Sequence, residues 1–162
     1  PTCFNLLGPT VNPSKPQCQM LGVANLDQMR LYNNVYRKIG IDYAIVNSID
    51  GYDEISLTSD FKVVTNDYER IFSPEEIGMK VAKPEELRAG ASEQEAMEIF
   101  DNVLNNKALE AQKNIVIANA GFAIQVLEKG QKSIEECMDI ARESIDSGKA
   151  LETFKKFVEL NK

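Results

Sequence analysis

The chain has 162 residues, with 18 Lys and Arg against 25 Asp and Glu, a formal charge of −7 and a pI near 4.7. That balance repels phosphate backbones and disfavours nucleic-acid binding; the longest basic cluster is Lys155-Lys156. With 43% apolar and 27% charged residues, the composition is that of one folded domain rather than a disordered segment.

The chain opens PTCFNLLGPTVNPSKP, without a methionine and inside an apolar segment, and reads as a fragment or processed product. In NLLGPTVNP, Gly8 would let a ligand or another backbone approach closely, and Pro9 would present a rigid apolar ring. The same pair also serves as a plain helix end and loop. Prolines at 9, 13 and 16 predict a loop. CQMLGVAN, from Cys18 to Asn25, is a short apolar run and predicts a buried strand. Asn25 is an N-cap, with Gln28 three residues on as a weak capping box. Leu26, Met29, Tyr32, Val35, Tyr36 and Ile39 then fall on one helical face, and Gly40 is a natural stop. Tyr32 and Tyr36 read as core. DYAIVNSI, from Asp42 to Ile49, is near-continuously apolar, as parallel strands are. Strand, helix, strand makes a βαβ unit.

SIDGYDEISLTSD follows, from Ser48 to Asp60. Asp50, Asp53 and Glu54 offer only hard oxygen ligands, for which Mg²⁺ is the fitting ion. On a regular strand Asp53 and Glu54 would face opposite sides. To serve one cation they must sit in a loop, and Gly51 permits the bend. Spacing alone favours a solvated acidic turn over a metal site, and DEISL is equally compatible with a short edge strand. The block nevertheless falls beyond the carboxyl end of a strand, where ligands of open α/β sheets collect.

FKVVTN (Phe61 to Asn66) and YERIF (Tyr68 to Phe72) predict strands around a turn at Asn66-Asp67. Ser73-Pro74-Glu75-Glu76 predicts a helix start, and KPEEL (Lys83 to Leu87) a short turn. Ser92 and Glu95 make a capping box for a helix with Ala96, Ile99, Phe100, Val103 and Leu104 on one face. NIVIANAGFAIQVLEKG, from Asn114 to Gly130, predicts a buried helix. Asn119 inside it must find partners, a structural hydrogen bond being favoured over a ligand contact. Ser133 and Glu136 cap the next helix, which ends near Gly148, and ALETFKKFVEL carries Leu151, Phe154 and Phe157. The fold class is α/β: a single domain, 1–162, with a mostly parallel or mixed sheet and helices packed on it.

Histidine is absent, which removes Ser-His-Asp and Cys-His catalysis and His-ligated zinc. Cys3, Cys18 and Cys137 form no CxxC pair and fit a reduced, cytoplasmic setting. Neither a membrane span nor a signal peptide is expected. No GxGxxG or GxxxxGK[ST] occurs, so neither nucleotide fingerprint applies.

The blocks PTCFNLLGPTVNP, QMLGVAN, DGYDEISLT, NIVIANAGFAI and ARESIDSGKALETFKKFV, in that order along essentially the whole chain, resemble the anthranilate phosphoribosyltransferase family. The resemblance implies the C-terminal half of a two-domain enzyme, within a domain of the nucleoside phosphorylase/phosphoribosyltransferase type. A helical N-terminal domain, a glycine-rich loop and an anthranilate-binding arginine would lie upstream. The implied reaction transfers phosphoribosyl from phosphoribosyl pyrophosphate to the amine of anthranilate, releasing pyrophosphate, in tryptophan biosynthesis. By the same resemblance Asp53 and Glu54 bind Mg²⁺, and Asn5, Gly8 and Pro9 belong to the substrate-binding block, with no catalytic side chain in this half. A homodimer through the N-terminal domain is implied, and these 162 residues alone are expected to be inactive. Thr10 stands where the family usually has leucine, and Glu95 where it often has asparagine. Two alternatives stay open: a pyrimidine-nucleoside phosphorylase-like enzyme of the same fold, and a non-catalytic relative acting as a binding module.

Overall fold

Strand β1 (Cys18–Gly22), helix α1 (Leu26–Ile39) and strand β2 (Asp42–Ser48) form the expected βαβ unit, with β1 and β2 parallel. The computed structural model describes residues 6–161. Strands β3 (Phe61–Thr65) and β4 (Glu69–Phe72) continue the sheet antiparallel, in the order β1-β2-β3-β4. The sheet is therefore mixed, with parallel pairing confined to β1 and β2. Only that pair is joined by a crossover helix; the short β3–β4 turn can make only an antiparallel return.

Alternation along the strands builds two cores. Tyr43 and Ile45 of β2 face α1, where they join Val23, Met29, Tyr32, Tyr36 and Val64. Ala44 and Val46 face the other way, into a larger cluster with Phe61, Val63, Phe72, Ile117 and Phe122. There Phe122 meets Phe61 and Phe72 edge-on at 5.7 and 5.6 Å, a favourable aromatic geometry. Tyr36 is fully buried, and its hydroxyl has no hydrogen-bond partner among the described residues. Burial, reinforced by Tyr32 nearby, pushes its pKa up to about 12.

Four helices follow: α2 (Glu93–Leu104), α3 (Glu110–Leu127), α4 (Ile134–Asp146) and α5 (Lys149–Leu160). The buried stripe of α3 is Asn114, Ile117, Ala118, Gly121, Phe122 and Val126, at the spacing of one helical face. The helix expected at Ser73-Pro74 is only the 3₁₀ turn Glu75–Ile77, because Gly78 takes a left-handed conformation straight after it.

The caps show a second departure. Asn25 accepts from the Gln28 amide at 3.0 Å, and Ser92 from the Glu95 amide at 3.2 Å. The reciprocal bonds go one residue too far back, Gln28 to the Ala24 amide and Glu95 to the Ala91 amide. Ser133 and Glu136 close a full capping box, at 3.2 and 2.8 Å, as Ser73 and Glu76 do ahead of the 3₁₀ turn. Ser133→Ala is expected to lower stability by about 1 kcal/mol, read from the denaturant midpoint; an unchanged midpoint would show α4 to be held by packing alone.

Candidate metal site at the carboxyl end of β2

The last two residues of β2 are polar and buried: Asn47 is 5% exposed and Ser48 0%. Such groups must find partners, and both find them in the acidic loop. The Asn47 side chain donates to the Val23 carbonyl at 2.7 Å and to the Tyr52 carbonyl at 3.3 Å. The Ser48 backbone N–H also donates to the Tyr52 carbonyl, at 3.0 Å. The Ser48 hydroxyl donates to the Glu54 carbonyl at 2.6 Å and accepts from the Ser56 amide at 3.1 Å. From α3, Asn119 accepts from the Ile55 N–H at 3.1 Å and donates to the Ile55 carbonyl at 2.9 Å.

These contacts make an irregular loop, not an edge strand. Gly51 has φ of +104°, the bend expected of it. Leu57 has φ of +59° with its side chain fully buried, a conformation that costs a non-glycine residue free energy and persists only where surroundings impose it. Ile55, Ser56 and Leu57 are inside, while Asp50 to Glu54 are exposed. The Asp50 carboxylate accepts from the Thr58 hydroxyl and so helps close the loop.

Asp53 and Glu54 stand exposed within this loop. Their backbone is fixed on both sides, yet among the described residues neither carboxylate makes a hydrogen bond or ion pair. Two free, hard-oxygen donors on a fixed backbone suit Mg²⁺, which needs few protein ligands and keeps water and phosphate for the rest. No group of three or more His, Cys, Asp or Glu that could hold a metal occurs among the described residues.

Gly22, the last residue of β1, supports the loop and was not singled out in the sequence. A Cβ there would lie 1.6 Å from the Asp53 carbonyl oxygen, so the loop rests directly on a bare backbone. QMLGVAN contains this glycine, but nothing local marks its contact 31 residues away. Asn47 and Ser48 were missed too. Their signal was two polar residues closing an otherwise apolar strand.

Gly8 and Pro9 lie elsewhere. They form the 3₁₀ turn Gly8–Thr10, with the Pro9 carbonyl accepting from the Gln19 side chain at 3.1 Å. Pro9 lines a cavity of about 280 Å³ with Gln17, Tyr36, Gly40 and Ile41. Gln17 and Ile41 directly precede β1 and β2, whereas Asp53 follows β2. The rise of a strand puts the two ends of β2 roughly 20 Å apart, so Pro9 and the acidic pair do not share one pocket in this chain. Asn5 lies outside the described residues. Beside the acidic loop opens an apolar groove of about 460 Å³, walled by Tyr52, Glu54, Leu87, Ile99, Phe100 and Val103.

Residues 1–151 match the family described as "Glycosyl transferase family, a/b domain". Anthranilate phosphoribosyltransferase of Phocaeicola vulgatus is 61% identical over 160 residues, 99% of this chain and 48% of that protein. The Cytophaga hutchinsonii protein of the same name is 45% identical over 157 residues, 97% of this chain and 48% of that protein. The chain spans about half the length of the curated relatives it matches. Among solved structures, anthranilate phosphoribosyltransferase from Thermus thermophilus superposes with a TM-score of 0.87 at 28% identity, over 98% of this chain and 47% of that one. The Saccharomyces cerevisiae enzyme in complex with PRPP and Mg has a TM-score of 0.86 at 23% identity, over 98% of this chain and 46% of that one, and shows the shared fold.

Proposed function

This chain belongs to the glycosyl transferase family, whose α/β domain it matches, and we propose that it is the α/β half of an anthranilate phosphoribosyltransferase. The whole protein would transfer phosphoribosyl from phosphoribosyl pyrophosphate to the amine of anthranilate. The observation that carries the reading is the pair of unengaged carboxylates, Asp53 and Glu54, on a backbone fixed at Tyr52, Glu54 and Ile55. They would hold Mg²⁺. Bound there with the substrate, the ion would offset the charge that grows on departing pyrophosphate. Asp53 and Glu54 would orient that end of the substrate, and Asn47 and Ser48 would keep the two carboxylates in place. An aromatic amine attacking a cationic ribosyl centre needs little general-base help, so the absence of histidine is no obstacle.

A helical domain outside these residues, a homodimer formed through it, and anthranilate contacts by Asn5, Gly8 and Pro9 go with this reading. So does a cytoplasmic setting, supported by the free thiols of Cys18 and Cys137; no helix among the described residues is long and apolar enough to cross a membrane. The relatives reported above all carry the transferase name, which favours it over a nucleoside phosphorylase.

Steady-state assay with phosphoribosyl pyrophosphate, anthranilate and Mg²⁺ tests the proposal. The full-length protein is expected to turn over and the 162-residue chain alone is not. Mg²⁺ alone should perturb the Asp53 and Glu54 amide resonances of this chain only at high millimolar concentration, and at lower concentration once pyrophosphate is added. A full-length protein inert toward anthranilate would overturn the reading.

A further inference from the structure

We infer that Asn119 is a positioning residue for the acidic pair, an inference that rests on the cation reading of Asp53 and Glu54. The side chain stands in the middle of α3, and its carboxamide meets both backbone groups of Ile55, as a neighbouring strand would. Oδ1 accepts the Ile55 N–H at 3.1 Å and Nδ2 donates to the Ile55 carbonyl at 2.9 Å. A second bond from Nδ2 reaches the Ile115 carbonyl at 3.0 Å, one turn back on the same helix, and locks the amide's orientation.

Ile55 follows Glu54 directly, and its side chain is fully buried. Its backbone lies outside every strand, so without Asn119 its N–H and carbonyl would be left without these bonds in a buried segment. An amide of this length is the side chain that both donates and accepts at one place. Asn47 and Ser48, which hold the start of the loop, come from β2 immediately before it, and the Ala82 N–H holds Leu57 beyond the acidic pair. Asn119 alone crosses 64 residues. It fixes the far end of the acidic pair to the helix that carries the core residues Ile117 and Phe122.

All three hydrogen bonds of Asn119 go to backbone groups, and none to Asp53 or Glu54. Asn119 therefore acts on the carboxylates through Ile55. Supporting hydrogen bonds of this kind set the geometry of metal ligands, and their loss costs roughly 10–100-fold in affinity.

The probe is Mn²⁺ with pyrophosphate, followed by paramagnetic broadening of the Asp53 and Glu54 amides, in wild type, Asn119→Ala and Asn119→Asp. Hydrogen exchange at Ile55 is measured beside it. Asn119→Ala is expected to speed Ile55 exchange and weaken Mn²⁺ binding roughly 10-fold or more, while amides of α4 exchange as in wild type. Asn119→Asp keeps the size and the acceptor for the Ile55 N–H but sets a carboxylate oxygen against the Ile55 and Ile115 carbonyls, and should weaken binding at least as much; if Asn119→Ala does not fold, this variant decides. Faster exchange at Ile55 with unchanged Mn²⁺ affinity would overturn the inference and leave Asn119 a purely structural residue. Absence of broadening at Asp53 and Glu54 in the wild type would instead remove the cation reading, and the inference with it.

Discussion

Gly22→Ala is expected to lower stability by roughly 1–3 kcal/mol, the range for forcing an extra carbon into a packed site. In the full-length protein the same change is expected to lower kcat/KM about 10²-fold, the scale of an ångström's misplacement at a reacting group. The added methyl would sit 1.6 Å from the Asp53 carbonyl oxygen and 2.7 Å from its carbonyl carbon. Both are backbone atoms, so no side-chain rotation relieves the clash. Nor can the loop simply lift away, since the Tyr52 carbonyl is held by Asn47 and the Ser48 N–H, and the Glu54 carbonyl by the Ser48 hydroxyl. Moving the end of β1 instead would disturb the parallel pairing of Gly22 with Val46. Either response displaces Asp53 and Glu54 without touching their side chains. Urea denaturation reads the first effect and steady-state kinetics the second. A Gly22→Ala protein with wild-type stability and wild-type kcat/KM would mean that the loop stands off β1 in solution.

What could be read from the sequence was whatever depends on neighbours along the chain. Asn25 and Gly40 bracket α1 at the expected bounds Leu26–Ile39, because an N-cap amide and a left-handed glycine act within one turn. The apolar run of β2 and the stripe of α3 were legible for the same reason. The site was legible only in its side chains: Asp53 and Glu54 stood out as hard-oxygen donors after a strand. Their support did not. Gly22, Asn47, Ser48 and Asn119 act through contacts made only once the sheet and α3 have assembled, and no periodicity encodes them. Leu57 shows the limit from the other side. Its left-handed backbone is imposed by burial, with the Leu57 carbonyl accepting from the Ala82 N–H at 2.8 Å, and nothing in DEISL announces it.

The double replacement Asp53→Asn with Glu54→Gln is expected to separate function from fold. Both side chains are exposed and make no bond among the described residues, and the amides keep the shape of the carboxylates. Stability should therefore stay within about 0.5 kcal/mol of wild type, as for ordinary surface changes. The formal charge moves from −7 to −5, which eases self-repulsion rather than adding to it. Activity of the full-length protein should behave oppositely. If these carboxylates hold Mg²⁺ against pyrophosphate, neutral amides remove the charge that recruits the ion, and turnover should fall by about 10²–10³-fold, as when one element of charge stabilisation is deleted. Each single variant retains one carboxylate and should recover part of its rate as Mg²⁺ is raised, whereas the double variant should not. The dependence of rate on Mg²⁺ concentration, measured at saturating phosphoribosyl pyrophosphate, distinguishes these cases. A double variant with the Mg²⁺ dependence of the wild type would place the ion on other ligands, and Asp53 and Glu54 would revert to a solvated turn held in place for its backbone alone.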